Sequence, residues 1–264
     1  MLCQILTYNT HGLPWSRDNS HPICDWIKTL KPEILCLQEV FLVQTREYYK
    51  EQLERYGYHV VIPHDQDTTF LGSGLLTAFL ESDYTLRSQC FCSYQAYHNV
   101  ECFANKGFLS TLLLHKASRR YLRIINTHTQ SNTEVSILFG NDIIDAIQKK
   151  QLQQIVEYLG KCTIPALIVG DLNCEQSPNP YVRFLKPQST HTIRKSTFYS
   201  TGEDLDHIGW IPLQWARDGC GYCDISRYGP IIESCTIFQK PWSDHAPLYV
   251  SVRIPDEKPP SLTR

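Results

Sequence analysis

The sequence predicts a four-layer α/β sandwich, an α/β (α+β) fold in which two mostly antiparallel sheets pack face to face under outer helices. Three observations carry this. About ten short runs rich in β-branched and aliphatic residues, each bounded by Gly, Pro or Asn, are spread over the 264 residues. The runs between Gly74 and Thr127 follow one another with no helical pattern between them, which a doubly wound parallel sheet would require. Helical periodicity occurs in only three places, at positions that would cap the outer faces of two stacked sheets. No linker, low-complexity stretch or internal repeat divides the chain, so one domain is expected over 1–254, with 255–264 as a frayed tail.

Taken in order, the first strand is Cys3–Tyr8, followed by a helix over Ile23–Thr29 that Pro32 brings to an end. The run Ile34–Val40, apolar up to Gln38-Glu39, reads as a buried strand, and Gln44–Tyr56 as the second helix. Strands follow at His59–Ile62, Gly74–Phe79, Phe108–Leu114 and Leu122–Thr127, with Cys90-Phe91-Cys92 as a strand fragment carrying two small residues on one face. The third helix, Asn141–Leu159, is the clearest: Ile144, Ile147, Leu152, Ile155 and Leu159 fall in a sector of roughly 140° with polar residues opposite. Leu167–Gly170, Leu205–Trp210, Ile231–Ile237 and Leu248–Ile254 complete the strands. Gly72-Ser73-Gly74 marks a turn, since it lacks the Lys-Ser/Thr of a phosphate-binding loop.

Composition narrows the function. With 25 Lys and Arg against 27 Asp and Glu the net charge is −2, and basic residues occur singly or in pairs, which disfavours tight sequence-independent nucleic-acid binding. Eleven cysteines would suit a disulfide framework in a short exported chain, but the first strand and Asn9 follow at once from Met1, leaving no room for a cleavable leader. An intracellular, cytoplasmic setting is therefore expected, with most thiols acting as small core hydrophobes. No apolar run approaches the ~20 residues of a membrane helix. Cys220-Gly221-Tyr222-Cys223 has no second pair and is read as free thiols, and no Gly-x-Ser-x-Gly elbow is present.

The chemistry-bearing residues form an ordered series at strand ends: Thr7-Tyr8-Asn9, Gln38-Glu39, Asn126-Thr127-His128, Gly170-Asp171-Leu172-Asn173, Asp204-Leu205-Asp206-His207 and Ser243-Asp244-His245. A carboxylate such as Glu39, closing a buried strand, needs a partner or a cation. An oxygen-rich site with one or two protein ligands suits Mg²⁺ in phosphate chemistry, with Mn²⁺ as a substitute. Glu39, Asn9 and Asp244 are the expected metal-site residues. Asp171 and Asn173, two apart, would point the same way if the chain stayed extended. Asp244 adjoins His245, so a different carboxylate must orient that ring, and Asp206 is the candidate. His128 is placed to donate to a phosphoryl oxygen gaining charge, with Gln130 and Asn132 continuing its polar rim. His207 is read as structural.

Together these segments resemble the endonuclease/exonuclease/phosphatase superfamily, and the likeness runs from Thr7-Tyr8-Asn9 to Ser243-Asp244-His245. The resemblance implies a four-layer sandwich, Mg²⁺ at Glu39 with Asn9 nearby, an Asp206–His245 dyad, Asp171 and Asn173 at the attacking or leaving oxygen, and His128 on the phosphate. Asn105-Lys106-Gly107-Phe108 and Asn126-Thr127-His128-Thr129-Gln130-Ser131 look like segments of neutral sphingomyelinases, although Thr129 stands where Leu is usual and His207 where Tyr is common. The expected activity is therefore Mg²⁺-dependent phosphodiester hydrolysis. A phospholipid headgroup is the favoured substrate, with a nuclease or DNA-end phosphodiesterase as the alternative. Either His245 or Asp171 can serve as the base. Trp15, Trp210, Trp215 and Trp242 are candidates for peripheral contact with a lipid surface.

Overall fold

The computed structural model describes residues 1–63, 71–132, 141–160, 162, 164, 166–185, 196–200, 202–211 and 229–255. Trp215, Cys220, Cys223 and nearly all of the expected tail lie outside them. Twelve strands among these residues form two six-stranded sheets. The first contains β1 (Leu2–Gly12), β2 (Ile34–Val40), β3 (Tyr58–Val61), β4 (Leu76–Leu80), β11 (Ile231–Ile237) and β12 (Leu248–Arg253), in the order β11-β12-β1-β2-β4-β3. The second contains β5 (Tyr84–Ser93), β6 (Gly107–His115), β7 (Arg120–His128), β8 (Ala166–Asp171), β9 (Arg183–Phe184) and β10 (Asp206–Trp210), in the order β5-β6-β7-β8-β10-β9. All neighbours are antiparallel except β1/β2 and β7/β8. Helices α1 (Ser20–Leu30) and α2 (Val43–Arg55) cover one sheet and α3 (Asn141–Gly160) the other. The predicted four-layer sandwich is the observed one.

Strand alternation sorts the apolar residues into three layers of core. Cys3, Ile5, Ile34, Cys36, Leu122, Ile124, Leu167, Val169, Ile208, Val250 and Val252 meet between the sheets, whereas Leu6, Tyr8, Leu35 and Leu37 turn outward onto Ile23, Ile27 and Leu53 of the helices. On the other side, Ile125, Ala166 and Ile168 pack under Leu152, Ile155 and Leu159 of α3. Helix α1 stops where predicted, with Lys31 in the left-handed conformation (φ 52°) just before Pro32.

The inter-sheet face changes character toward one end. There the inward sequence of β1 runs Cys3, Ile5, Thr7, Asn9, and that of β2 runs Ile34, Cys36, Gln38. Thr7, Gln38, Thr77 and Asn126 are fully buried polar residues. Gln38 Nε2 donates to Asn126 Oδ1 across the gap (2.8 Å), and Asn126 Nδ2 donates to Leu76 O (2.9 Å), so a polar belt ties one sheet to the other. Burying these groups is tolerated because they are paired.

Strand β5 is the largest element the sequence leaves unread. It is an edge strand whose middle residues face solvent, with a register shift between Leu86 and Ser88, so it shows no apolar alternation outside Cys90–Cys92.

Candidate active site

Above the polar belt, backbone geometry brings the strand-end residues together. In the second sheet His128, Asp171 and Asp206 are register neighbours on three adjacent strands, His128 opposite Asp171 and Asp171 opposite Asp206. Each continues the inward face of its strand, after Ile124 and Asn126 on β7, Leu167 and Val169 on β8, and ahead of Ile208 on β10. His207 therefore points the other way, its Nε2 2.8 Å from Cys174 O and its ring stacked on Phe184, as expected of a structural histidine.

Glu39 reaches the same point by breaking the strand rule. Simple alternation after Gln38 would send it to the helix side. Instead Glu39 has φ 57° and His11 φ 51°, and the β1/β2 register skips between Asn9/Gln38 and Gly12/Val40, so two residues of β1 oppose Glu39. This bulge re-aims the carboxylate. It also brings the strands so close that a Cβ on Gly12 would lie 2.3 Å from Glu39 O.

Asn9 links the two sheets at the site. Its Nδ2 donates to Glu39 Oε1 (3.0 Å) and Asp171 Oδ2 (2.9 Å), and its Oδ1 accepts from His11 N (3.0 Å). His245 comes from the turn before β12 and packs its ring on Phe198 (4.9 Å between centroids). Its Nδ1 lies 2.7 Å from Asp206 Oδ2 and its Nε2 3.6 Å from Asp171 Oδ2. Thr197 backs this arrangement: its Oγ1 accepts from Asp206 N (3.0 Å) and its carbonyl from Ala246 N (2.6 Å).

One expectation of local geometry is corrected. Asp171 and Asn173 do not lie along an extended strand. Asn173 has φ 48° and its N–H donates to Asp171 Oδ1 (2.9 Å), the Asx-turn that Asp-Leu-Asn favours on leaving a strand. Asn173 Nδ2 donates to Thr129 O (3.2 Å). Gly170, with φ 143°, is required here, because a Cβ would lie 2.0 Å from Thr127 O.

Of the three residues expected at the metal, Glu39 has a buried carboxylate oxygen, Oε2, with no hydrogen bond among the described residues. Asn9 is engaged as described. Asp244 Oδ1 lies 3.0 Å from His11 Nδ1 with its side chain 37% exposed, and this hydrogen bond holds the Asp244 carboxyl low against the raising effect of burial. Asp171, Asp206 and His245 each offer a ligand atom within 4.8 Å of the others, a cluster of acid and histidine able to hold a cation. Within it, Asp206 Oδ2 is taken by His245, while Asp206 Oδ1 is a second buried carboxylate oxygen with no hydrogen bond among the described residues. Orphaned buried carboxylate oxygens are costly unless a cation meets them, so the donor set fits a divalent ion.

The same burial sets the proton affinities. Burial raises Glu39, partly offset by Asn9, and pushes Asp171 up to about 7 against the lowering effect of His245. Burial alone would lower His245, but Asp206 and Asp171 outweigh it and raise the ring to about 10. His128 is held well below its usual value by burial and by the Lys106 ammonium.

Lys106 and Glu101 are site neighbours that sequence reasoning did not single out. Lys106 Nζ lies 3.2 Å from His128 Nε2, 2.9 Å from Thr129 O and 2.6 Å from Glu101 Oε2, all buried. The Lys106-Gly107 pair was visible as a family-like segment, but nothing in it signalled a buried charge. On the rim, α3 is moored by glutamines: Gln148 Nε2 donates to Asn173 O (2.9 Å) and Gln151 Oε1 accepts from Gln130 N (2.8 Å), while Asn132 Nδ2 donates to Asn173 O (3.2 Å). Among the tryptophans, Trp210 is buried, Trp242 packs with Trp26 and Lys240, and Trp15 is 77% exposed.

The constellation is joined by a family match that covers most of the chain, residues 6–245, to the endonuclease/exonuclease/phosphatase family. The chain belongs to that family. No curated protein sequence matches it. Solved structures share its fold at low identity. The human nocturnin catalytic domain with bound sulfate is 18% identical with a TM-score of 0.67, covering 96% of this chain and 94% of that one. D. rerio TDP2 with a single-strand DNA product is 13% identical at 0.69 (96% and 99%). Sphingomyelinase C from Streptomyces griseocarneus is 15% identical at 0.64 (95% and 99%). No helix among the described residues is long and apolar enough to cross a membrane, and the nine described cysteines are all free thiols.

Proposed function

We propose that the chain is a divalent-metal-dependent phosphodiesterase, and that a phospholipid headgroup of the sphingomyelin type is its substrate. The observation that carries the hydrolytic reading is the convergence of Glu39, Asp171, Asp206, His245 and His128, from both sheets, on one buried point. Glu39, oriented by Asn9, would hold Mg²⁺, which supplies Lewis-acid polarisation of a phosphoryl oxygen.

The protein's own groups account for the remaining steps. His245 Nε2 and Asp171 Oδ2 are 3.6 Å apart, too close to serve opposite apices of an in-line displacement, so both act on one oxygen, that of the attacking water. With His245 raised to about 10 and Asp171 to about 7, the proton shared by the pair at pH 8 resides on His245. Asp171 is then the bare base, aimed by Asn9 Nδ2 and Asn173 N–H. The imidazolium of His245, fixed by Asp206, holds that same water through its Nε2–H, and an N–H of His128 meets charge developing on the phosphate. The lipid preference is supported by the near-zero net charge, by Trp15 standing free beside the His11 turn, and by the sphingomyelinase-like Lys106-Gly107 and Thr127-His128 segments.

The deciding experiment incubates purified protein with sphingomyelin micelles, supercoiled plasmid and bis(p-nitrophenyl) phosphate, each with Mg²⁺ or EDTA. Phosphocholine release that EDTA abolishes is expected. Plasmid nicking without phosphocholine release would move the substrate to nucleic acid, and no cleavage of any of the three would overturn the hydrolytic reading.

A further inference from the structure

We infer that Lys106 is a positioning residue that fixes the tautomer of His128, holding its single proton on Nδ1 and keeping Nε2 bare. The inference deepens the phosphodiesterase reading by naming what sets His128 in that site. Three observations carry it.

Lys106 is a donor with no accepting capacity. Its ammonium lies 3.2 Å from His128 Nε2, donates to Thr129 O (2.9 Å) and is charge-paired with Glu101 at Oε2 (2.6 Å). A proton on His128 Nε2 would set two donors against each other at hydrogen-bond distance, and a doubly protonated ring would set two positive charges there. A charge-assisted hydrogen bond is roughly twice as strong as a neutral one, which is enough to choose between tautomers of intrinsically similar energy. The anchor is itself rigid: Glu101 accepts from both Ser131 N (3.3 Å) and Ser131 Oγ (2.5 Å), and both charges of the pair are buried.

The second observation is what Nε2 faces. Besides Lys106 it lies 3.5 Å from Asp171 Oδ2 and 3.9 Å from Glu39 Oε1. If Nε2 carried the proton, a short shift would let His128 donate to Asp171 and occupy the oxygen that the mechanism needs for water. Lys106 prevents that capture. The third observation is that His128 Nδ1 is buried and has no partner among the described residues. The tautomer that Lys106 selects thus places the ring's only N–H on the buried atom that has no protein acceptor among the described residues, and leaves Nε2 as an acceptor toward the site.

The test is spectroscopic and needs no turnover. Long-range ¹H–¹⁵N correlation spectra of ¹⁵N-histidine-labelled protein at pH 7, in EDTA and again with Mg²⁺, separate the Nδ1–H tautomer, the Nε2–H tautomer and the imidazolium, with the His128→Asn variant assigning the signal. The wild-type chain is expected to show His128 as Nδ1–H with a hydrogen-bonded, bare Nε2. Lys106→Met is expected to invert that pattern and to lower kcat by at least tenfold. Removing Lys106 leaves Glu101 buried and unpaired, so Lys106→Met/Glu101→Gln serves as the companion variant where the single one is unstable. An Nε2–H or imidazolium signal in the wild type overturns the inference without any variant being made, and so does an unchanged Nδ1–H pattern in a folded Lys106 variant. A correct tautomer in a protein that cleaves no phosphodiester would leave the role of Lys106 standing and refute the proposed function alone.

Discussion

Replacing Asp206 by Asn tests the charge arrangement most directly. In the native site Asp206 Oδ2 is 2.7 Å from His245 Nδ1, and His245 is 5% exposed, so little solvent screens the pair. The ring's affinity for its proton rises from an ordinary 6.5 to about 10. That difference of roughly 3.5 powers of ten corresponds to ~5 kcal/mol favouring the imidazolium. Burial opposes this rise, and Asp206, through its charge and its hydrogen bond, is the main source of it, with Asp171 and Asp244 behind. The amide of the Asp206→Asn variant would retain the shape, lose the charge, and be able to present an N–H to Nδ1, which selects the wrong tautomer. The expected result is a fall in kcat of about 10²-fold or more on bis(p-nitrophenyl) phosphate at saturating Mg²⁺, with KM little changed. In the metal-free protein the His245 signal should lose its proton at lower pH than in the wild type. A kcat within threefold of wild type, or a His245 still charged at pH 9 in the variant, would refute the argument.

Other outcomes follow from the same geometry. Glu39→Gln keeps an acceptor for Asn9 but removes the free carboxylate oxygen, so Mg²⁺ should no longer raise the melting temperature and turnover should drop by about 10³-fold; a preserved Mg²⁺ shift in scanning calorimetry would place the ion elsewhere. Asp171, raised to about 7 by burial, should keep its proton in EDTA at pH 5.5, where an ordinary aspartate has lost it. Because its folded affinity is raised, the stability it contributes is fully present below about 3.8 and is lost as pH climbs through about 7. Carboxyl ¹³C titration reads the first effect, and Mg²⁺ should lower that titration point. Gly170→Ala meets Thr127 O at 2.0 Å from a left-handed backbone, a clash expected to cost at least ~3 kcal/mol and to lower the melting temperature by about 10 °C; a drop of only a degree or two would mean that β7 and β8 can separate at that point.

What the sequence revealed depended on whether a residue obeyed strand alternation. Asp171, Asp206 and His128 continue the inward face of apolar strands, so their convergence could be anticipated from period-two patterning plus their place at strand ends. Glu39 could be identified by residue type but not by direction, since the bulge at Thr10-His11 that turns it inward arises from pairing between β1 and β2. Asn173 was assigned the wrong conformation because the local Asx-turn outweighs continuation of the strand. The roles of Lys106 and Glu101 are hidden for another reason: a lysine in sequence reads as solvent-facing, and only the tertiary pairing with Glu101, from the short helix Asn99–Phe103, accompanies its burial. Edge strand β5, whose middle faces solvent and whose register shifts between Leu86 and Ser88, is legible only over Cys90–Cys92.

The belt formed by Thr7, Gln38, Thr77 and Asn126 has a mechanical consequence. Two greasy sheets in contact can slide, because dispersion is nearly indifferent to a small translation, whereas directional bonds from Gln38 to Asn126 and from Asn126 to Leu76 are not. Gln38 sits one residue before Glu39, Thr7 two before Asn9, and Asn126 two before His128. The belt therefore works as a dowel joint directly under the reaction centre, locking the alignment of the two halves.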